Sequence, residues 1–72
     1  MICHAGWVGI SAGIVAGKRA TSVRSIRDDM VNGGAEWGDE EVVADGDLIT
    51  SRTPWDLPAF CRVIIEKLAN VP

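Results

Sequence analysis

The clearest hydrophobic pattern lies near the C-terminal end of the chain. Leu57, Phe60, Cys61, Ile64, Ile65 and Leu68 recur at i, i+3, i+4, i+7, i+8 and i+11, the spacing of one broad apolar face on an α-helix. Thr53 is a favourable N-cap, Pro54 suits the first helical position, and Asp56 complements the helix dipole in the first turn. Pro58 falls early enough that its missing N–H removes about one intrahelical bond. Asn70 and Pro72 mark the end.

The preceding stretch changes period. Val42-Val43-Ala44 and Leu48-Ile49-Thr50 flank Asp45-Gly46, which predicts a β-hairpin with a type I′ turn, φ positive at both central positions. Trp37 is expected at the start of its first arm. Before it, Ser25 reads as an N-cap with Asp28 in capping-box position and Asp29 also in the first turn. Ile26, Met30 and Val31 then form the inward face, and Gly33-Gly34 supplies the stop. Residues 18–23 are half-polar and predict a brief strand. Trp7, Val8, Ile10, Ala12, Ile14 and Val15 are apolar nearly all round, which predicts a buried helix from His4 to Ile14 that ends near Gly17. Gly6, Gly9 and Gly13 each lower helix propensity by about 1 kcal/mol relative to Ala, yet permit close approach of a neighbour. Trp7 and Trp37 are expected in the core, and Trp55 on a partly exposed contact surface.

Helix, strand, helix, hairpin, helix is an α/β order. Three wide apolar helix faces need more sheet than one hairpin and a short strand provide, so the chain reads as part of a doubly wound domain. A domain of 72 residues buries about 60% of its unfolded surface, and chains of this size commonly rely on a disulfide, a metal or a partner. Two cysteines and one histidine cannot make a four-ligand zinc site, and no cofactor is implied. A net charge of −3 argues against broad nucleic-acid affinity. No apolar run approaches the ~20 residues of a membrane span. Met1 to Gly6 has no basic signal region, and two unpaired thiols favour a reducing, cytoplasmic setting.

Cys3-His4 is the pair with chemical promise. A thiol at a helix start and beside an imidazole is favoured as thiolate, and the backbone N–H groups there, His4 first, can stabilise an oxyanion. That is the nucleophile-elbow arrangement, which needs a preceding strand, and Met1 and Ile2 precede the cysteine. Two readings stand: an activated nucleophile, or a cysteine and a histidine near a flexible terminus. Elsewhere the structural explanations suffice. Cys61 reads as a small buried hydrophobe, Asp28 and Asp29 as capping acids, and Asp39-Glu40-Glu41 as a solvated segment. Arg24 and Arg27 are expected to pair with neighbouring acids, and Gly17-Lys18 to form a turn.

Ile2-Cys3-His4-Ala5-Gly6, Ile10-Ser11-Ala12-Gly13-Ile14-Val15, Arg19-Ala20-Thr21-Ser22 and Ser25-Ile26-Arg27-Asp28-Asp29 together resemble the PfpI-type intracellular protease family. This family belongs to the class I glutamine amidotransferase-like superfamily and is related to the Parkinson-associated deglycases. Gly34-Ala35-Glu36-Trp37, Asp39-Glu40-Glu41-Val42-Val43, Leu48-Ile49-Thr50-Ser51-Arg52 and Asp56-Leu57-Pro58-Ala59-Phe60-Cys61 continue the likeness in order. The resemblance covers essentially the whole chain but only the C-terminal half of the family's domain, starting at the nucleophile elbow. It implies a partial flavodoxin-like α/β sandwich, with Cys3 as nucleophile and His4 as the neighbouring histidine. It also implies peptidase, glyoxalase or deglycase chemistry on a peptide or small carbonyl substrate, stress protection, and assembly into dimers or hexamers. The family's acidic partners of the cysteine and its central strands lie in the N-terminal half. Gly9 and Gly38 stand where larger apolar residues are expected, and Trp55 where a polar one is usual. The chain is therefore expected to be weak or inactive alone. The alternative is a non-catalytic assembly module that pairs with a complementary half or with itself.

Overall fold

The chain folds around a junction where an extended segment, two helices and a short parallel strand pair meet. The computed structural model describes residues 1–70. Helix α1 is Gly6–Ala12, entered through a 3-10 turn at Cys3–Ala5. Strand β1 (Arg19–Ala20) precedes a 3-10 turn at Arg24–Ile26 and helix α2 (Arg27–Asn32). Strand β2 is Glu36–Trp37, the hairpin is β3 (Val42–Asp45) and β4 (Leu48–Ser51), and helix α3 is Leu57–Ala69 after a 3-10 turn at Pro54–Asp56. This is the expected mixed α/β class.

β1 and β2 pair in parallel, with Arg19 opposite Glu36 and Ala20 opposite Trp37. Trp37 thus belongs to this pair and not to the hairpin arm. β3 and β4 pair antiparallel, with Asp45 opposite Leu48. Gly46-Asp47 is therefore the two-residue loop, and Gly46 alone of the two has a positive φ, +61°. That matches a II′ connection, which takes glycine first, and not the I′ turn expected. Side chains join the hairpin to β1: the Arg19 backbone N–H donates to Asp45 Oδ2 at 2.9 Å, and the Thr21 N–H to Thr50 Oγ1 at 2.8 Å.

Helix α1 differs most from expectation. It stops at Gly13, whose φ of +73° ends the helix in a left-handed cap, with the Ile14 N–H reaching back to the Gly9 carbonyl at 3.1 Å. Its buried residues are Gly6 and Gly9, while Trp7 is 50% exposed and Val8 and Ile14 also face solvent. The apolar side chains surround a helix whose contact face is glycine. A Cβ on Gly6 would lie 2.6 Å from Met30 Sδ, and one on Gly9 would lie 2.7 Å from Met1 Cε and Sδ. The space opened by Gly9 is thus filled by Met1.

The core is Val15, Ala20, Ile26, Met30 and Ala35, with Met1, Ile10, Val23, Trp37 and Leu48 packed partly buried against it. Met30 points inward as expected, but Val31 is exposed. Gly33-Gly34 closes α2, and the Ala35 N–H bonds to the Met30 carbonyl at 3.0 Å.

Helix α3 packs on β3 and β4. Thr53 is extended and makes no side-chain cap bond; the 3-10 turn that follows moves the α-helix start to Leu57. Pro58 becomes its second residue, where the N–H is dispensable. The hairpin covers only part of the apolar face. Ala59 is buried and Phe60, Val63 and Ile64 are half-buried, but Leu57 and Cys61 are exposed, as are Ile65 (65%) and Leu68 (69%). Cys61 is therefore not a buried hydrophobe. Asn70 ends the helix through its N–H on the Glu66 carbonyl; Pro72 lies outside the described residues. Among the described residues no helix is long and apolar enough to cross a membrane.

A strand-to-helix elbow at Cys3

Ile2 is extended, with φ −135° and ψ 152°, and bridges in parallel to Ser51. The Met1 backbone nitrogen donates to the Ile49 carbonyl at 2.6 Å, and the Ser51 N–H donates to the Met1 carbonyl at 2.9 Å. Two residues thus suffice to add a strand-like segment beside β4. The chain then reverses at once into the 3-10 turn, closed by the Ala5 N–H on the Ile2 carbonyl at 3.0 Å. Cys3 lies at the apex with φ +56°, the one non-glycine residue with a positive φ among those described. Its carbonyl accepts from the Val23 N–H at 3.4 Å, which ties the apex to the segment leaving β1. The buried Gly6 lets α1 sit close against Met30 and Ile26 directly after this turn.

The two residues that the sequence puts side by side differ in their surroundings. Cys3 is half-buried, and among the described residues its thiol has no hydrogen-bond partner. His4 is exposed: its Nε2 lies 3.3 Å from Ser25 Oγ, and its ring packs at 5.0 Å and 54° on Trp7. Ser25 therefore does not cap its helix with its side chain, as was expected, but meets the imidazole. Trp7, expected in the core, instead donates from Nε1 to Asp29 Oδ2 at 2.9 Å. Neither contact had a signal in the spacing. Among the described residues no carboxylate is hydrogen-bonded to Cys3 or His4, and no group of three or more His, Cys, Asp or Glu could hold a metal.

A second polar cluster sits at the same end of β4, just beyond Ser51. Arg52 donates to both Asp56 oxygens, at 2.9 and 3.0 Å, and to Asp39 Oδ1 at 3.0 Å; Arg24 pairs with Asp39 Oδ2 at 2.9 Å. Asp39, read as merely solvated, thus joins two arginines. The Arg52 hydrogen bonds hold the Asp56 carboxyl below its ordinary range against the opposing effect of burial, and Arg52 and then Arg24 do the same for Asp39. Arg27 pairs at 3.5 Å with Asp28 and lies over the Trp37 ring. Trp37 is half-buried and donates to Ser22 Oγ at 2.9 Å, whereas Trp55 is 89% exposed.

An extended residue, a cysteine with positive φ and an immediate helical turn have the geometry of a strand-to-helix elbow. The chain belongs to the DJ-1/PfpI family, which matches residues 1–67. It is 49% identical over 67 residues to "Deglycase PfpI" of Pyrococcus furiosus, covering 93% of this chain and 40% of that protein. It is 50% identical over 68 residues to "Protein/nucleic acid deglycase 2" of Escherichia coli, with the same coverage, 93% and 40%. The fold superposes with a TM-score of 0.92 and 44% identity on a crystal structure of a two-domain protein from Anabaena variabilis with DJ-1/ThiJ/PfpI-like and ferritin-like domains, covering 94% of this chain and 20% of that one. The flavodoxin-like α/β assignment follows from this likeness. The chain spans 40% of the length of the two named relatives.

Proposed function

We propose that this chain is the nucleophile-bearing portion of a cysteine-dependent hydrolase or deglycase, with Cys3 as nucleophile and His4 as proton carrier. The observation that supports it best is the φ of +56° at Cys3, between an extended residue and a helix start. A non-glycine residue keeps that conformation only where its surroundings impose it, and such strain gathers at functional sites. In the reaction, Cys3 Sγ as thiolate adds to a carbonyl carbon, and the proton travels by His4 to the carbonyl oxygen, giving a hemithioacetal from an α-oxoaldehyde. With a peptide, the C–N bond breaks, the amine takes the proton, and water hydrolyses the thioester that remains. Backbone N–H groups of the turn after Cys3 stabilise the intermediate oxyanion.

The acidic groups that assist the cysteine in this family lie in its N-terminal half. The chain is accordingly weak or inactive alone and acts together with a complementary N-terminal half. Its two free thiols, Cys3 and Cys61, support a reducing setting such as the cytoplasm. The test follows methylglyoxal consumption by the purified chain, alone and mixed with the separately expressed N-terminal portion of the Pyrococcus furiosus relative. Turnover is expected on mixing, abolished by Cys3→Ser and retained in Cys61→Ser. Turnover by the chain alone that survives Cys3→Ser overturns the assignment.

A second reading, an assembly module without catalysis, is favoured by one specific observation: the exposed Leu57, Ile65 and Leu68 on one helix. Sedimentation discriminates, because a sharp monomer at all concentrations counts against that module.

A further inference from the structure

Residues 23–25 hold both members of the Cys3-His4 pair. The Val23 N–H donates to the Cys3 carbonyl at 3.4 Å, and Ser25 Oγ lies 3.3 Å from His4 Nε2. The backbone is fixed on either side of Ser25. Arg24 pairs with Asp39 at 2.9 Å, the Ile26 N–H closes the turn on the Val23 carbonyl at 3.2 Å, and the Ile26 side chain is buried in the core. The Ser25 hydroxyl does nothing for this turn. It is exposed, it caps neither the 3-10 turn nor α2, and among the described residues it bonds to no group but His4. The imidazole is held from a second side as well. Its ring packs on Trp7 at 5.0 Å, and Asp29 Oδ2 in turn holds the Trp7 indole by accepting from Nε1 at 2.9 Å. An exposed side chain thus has one ring face and one ring nitrogen engaged.

We propose that Ser25 is a positioning residue for His4, acting on the imidazole and not on the substrate. With Nε2 held by Ser25, Nδ1 is the ring nitrogen left to take up and release a proton. A hydroxyl suits this task because it both donates and accepts. It accepts from the Nε2–H while Nδ1 gains or loses its proton, so the ring keeps its place in the neutral and the cationic form alike. A carboxylate at the same point would instead favour the cation. Asp29, the acid of α2 on this side, is engaged by the Trp7 indole. The catalytic meaning of the contact rests on the proposed role of His4 as proton carrier. The anchoring of the ring does not.

His4 is the single histidine of the sequence, so NMR spectra of the full chain show its ring protons alone, displaced by the ring current of Trp7. Ser25→Ala is expected to move them toward the positions of a free imidazole, and Ser25→Thr, which keeps the hydroxyl, to leave them in place. Neither variant should change the urea midpoint. The second readout is alkylation of Cys3 by iodoacetamide at neutral pH, resolved from that of Cys61 by peptide mass. His4→Ala and Ser25→Ala should slow it alike, by at least about threefold, and Ser25→Thr should retain the parent rate. The proposal is overturned by ring protons unmoved in Ser25→Ala or moved equally in Ser25→Thr. It is overturned too by a lowered urea midpoint in Ser25→Ala, which would assign the hydroxyl to the fold, or by a parent-like rate in Ser25→Ala where His4→Ala is slow. If His4→Ala leaves the Cys3 rate unchanged while Ser25→Ala still displaces the ring, the proton-carrier role fails and the anchoring of the imidazole stands.

Discussion

The elbow region and the hairpin–α3 region are built on different physics. Around the elbow, Val15, Ala20, Ile26, Met30 and Ala35 form a closed apolar cluster, and glycines let α1 descend onto it. In the hairpin–α3 region the buried set is mostly polar: Val43 and Ala59 stand beside Thr50, Ser51 and Asp56. Ser51 Oγ donates to the Glu41 carbonyl, and Arg52 clamps Asp56. The second region also leaves most of a helix's apolar face in water. The apolar cluster beneath the elbow is thus closed, while the hairpin–α3 region, whose β4 holds Met1 and Ile2 ahead of Cys3, carries the open surface.

Removing apolar volume separates the two regions most sharply. Met30 is fully buried and meets Gly6, so Met30→Ala is expected to cost about 2–5 kcal/mol. At roughly 0.05–0.15 kcal/mol per residue, a chain of 72 residues has on the order of 4–11 kcal/mol in total. Urea titration should therefore find Met30→Ala partly or wholly unfolded. A loss below about 1 kcal/mol would mean that the cluster does not carry the stability of the elbow.

The next effect concerns strain at the apex. In an ordinary helix Ala exceeds Gly by about 1 kcal/mol, whereas a φ of +56° reverses the order, because the left-handed region costs an L-residue about 1–2 kcal/mol. Both Cys3→Ala and Cys3→Gly remove the thiol, so the comparison isolates the backbone. Cys3→Gly is expected to be the more stable of the two by about 1 kcal/mol in denaturant midpoints. Equal stabilities, or Ala the better, would show that the apex is unstrained and weaken the nucleophile assignment with it.

The contrast also explains what could be read from the residues. The hairpin and α3 were legible because period-2 runs around a glycine turn and a 3.6 period are local signals. β1 and β2 were not paired in advance, since two-residue strands have no period and a parallel pair is defined by what lies between. α1 departs from its sequence pattern for a physical reason: apolar residues mark a core only when their side chains face it, and here the glycines do. The Cys3-His4 adjacency is visible in the sequence, but not that Ser25 and Trp7 meet the imidazole, because both contacts depend on how α1 and the turn before α2 pack together. The exposure of Cys61 depends on how much sheet covers α3, which no spacing within α3 encodes.

A smaller effect is confined to the polar region. Asp56 and Asp39 have carboxyl groups lowered by the arginines beside them. A group with a depressed folded pKa contributes stability above its unfolded value, near 3.8 here, and loses that contribution as pH falls through the folded value. Stability should thus decline on acidification below about pH 5. Asp56→Asn should flatten that decline, measured as the urea midpoint at neutral and at low pH. An unchanged acid slope in Asp56→Asn would shift the weight to Asp39 or to carboxylates outside the network.

The smallest expected change in stability is the most informative about assembly. Ile65 and Leu68 are 65% and 69% exposed on the uncovered side of α3, so removing their side chains gives up little burial within the chain. Ile65→Ser and Leu68→Ser should each stay within about 0.5 kcal/mol of the parent at low concentration, in contrast to Met30→Ala. The same substitutions should matter wherever the surface is occupied, because a face that buries apolar area against another chain loses about 25 cal/mol for each Å² removed. The double substitution should therefore abolish any concentration dependence of the melting midpoint and of sedimentation, and weaken capture of an N-terminal family half. If the double variant unfolds at low concentration, α3 is buried within one chain after all, and the division between a closed apolar cluster and an open hairpin–α3 region is wrong.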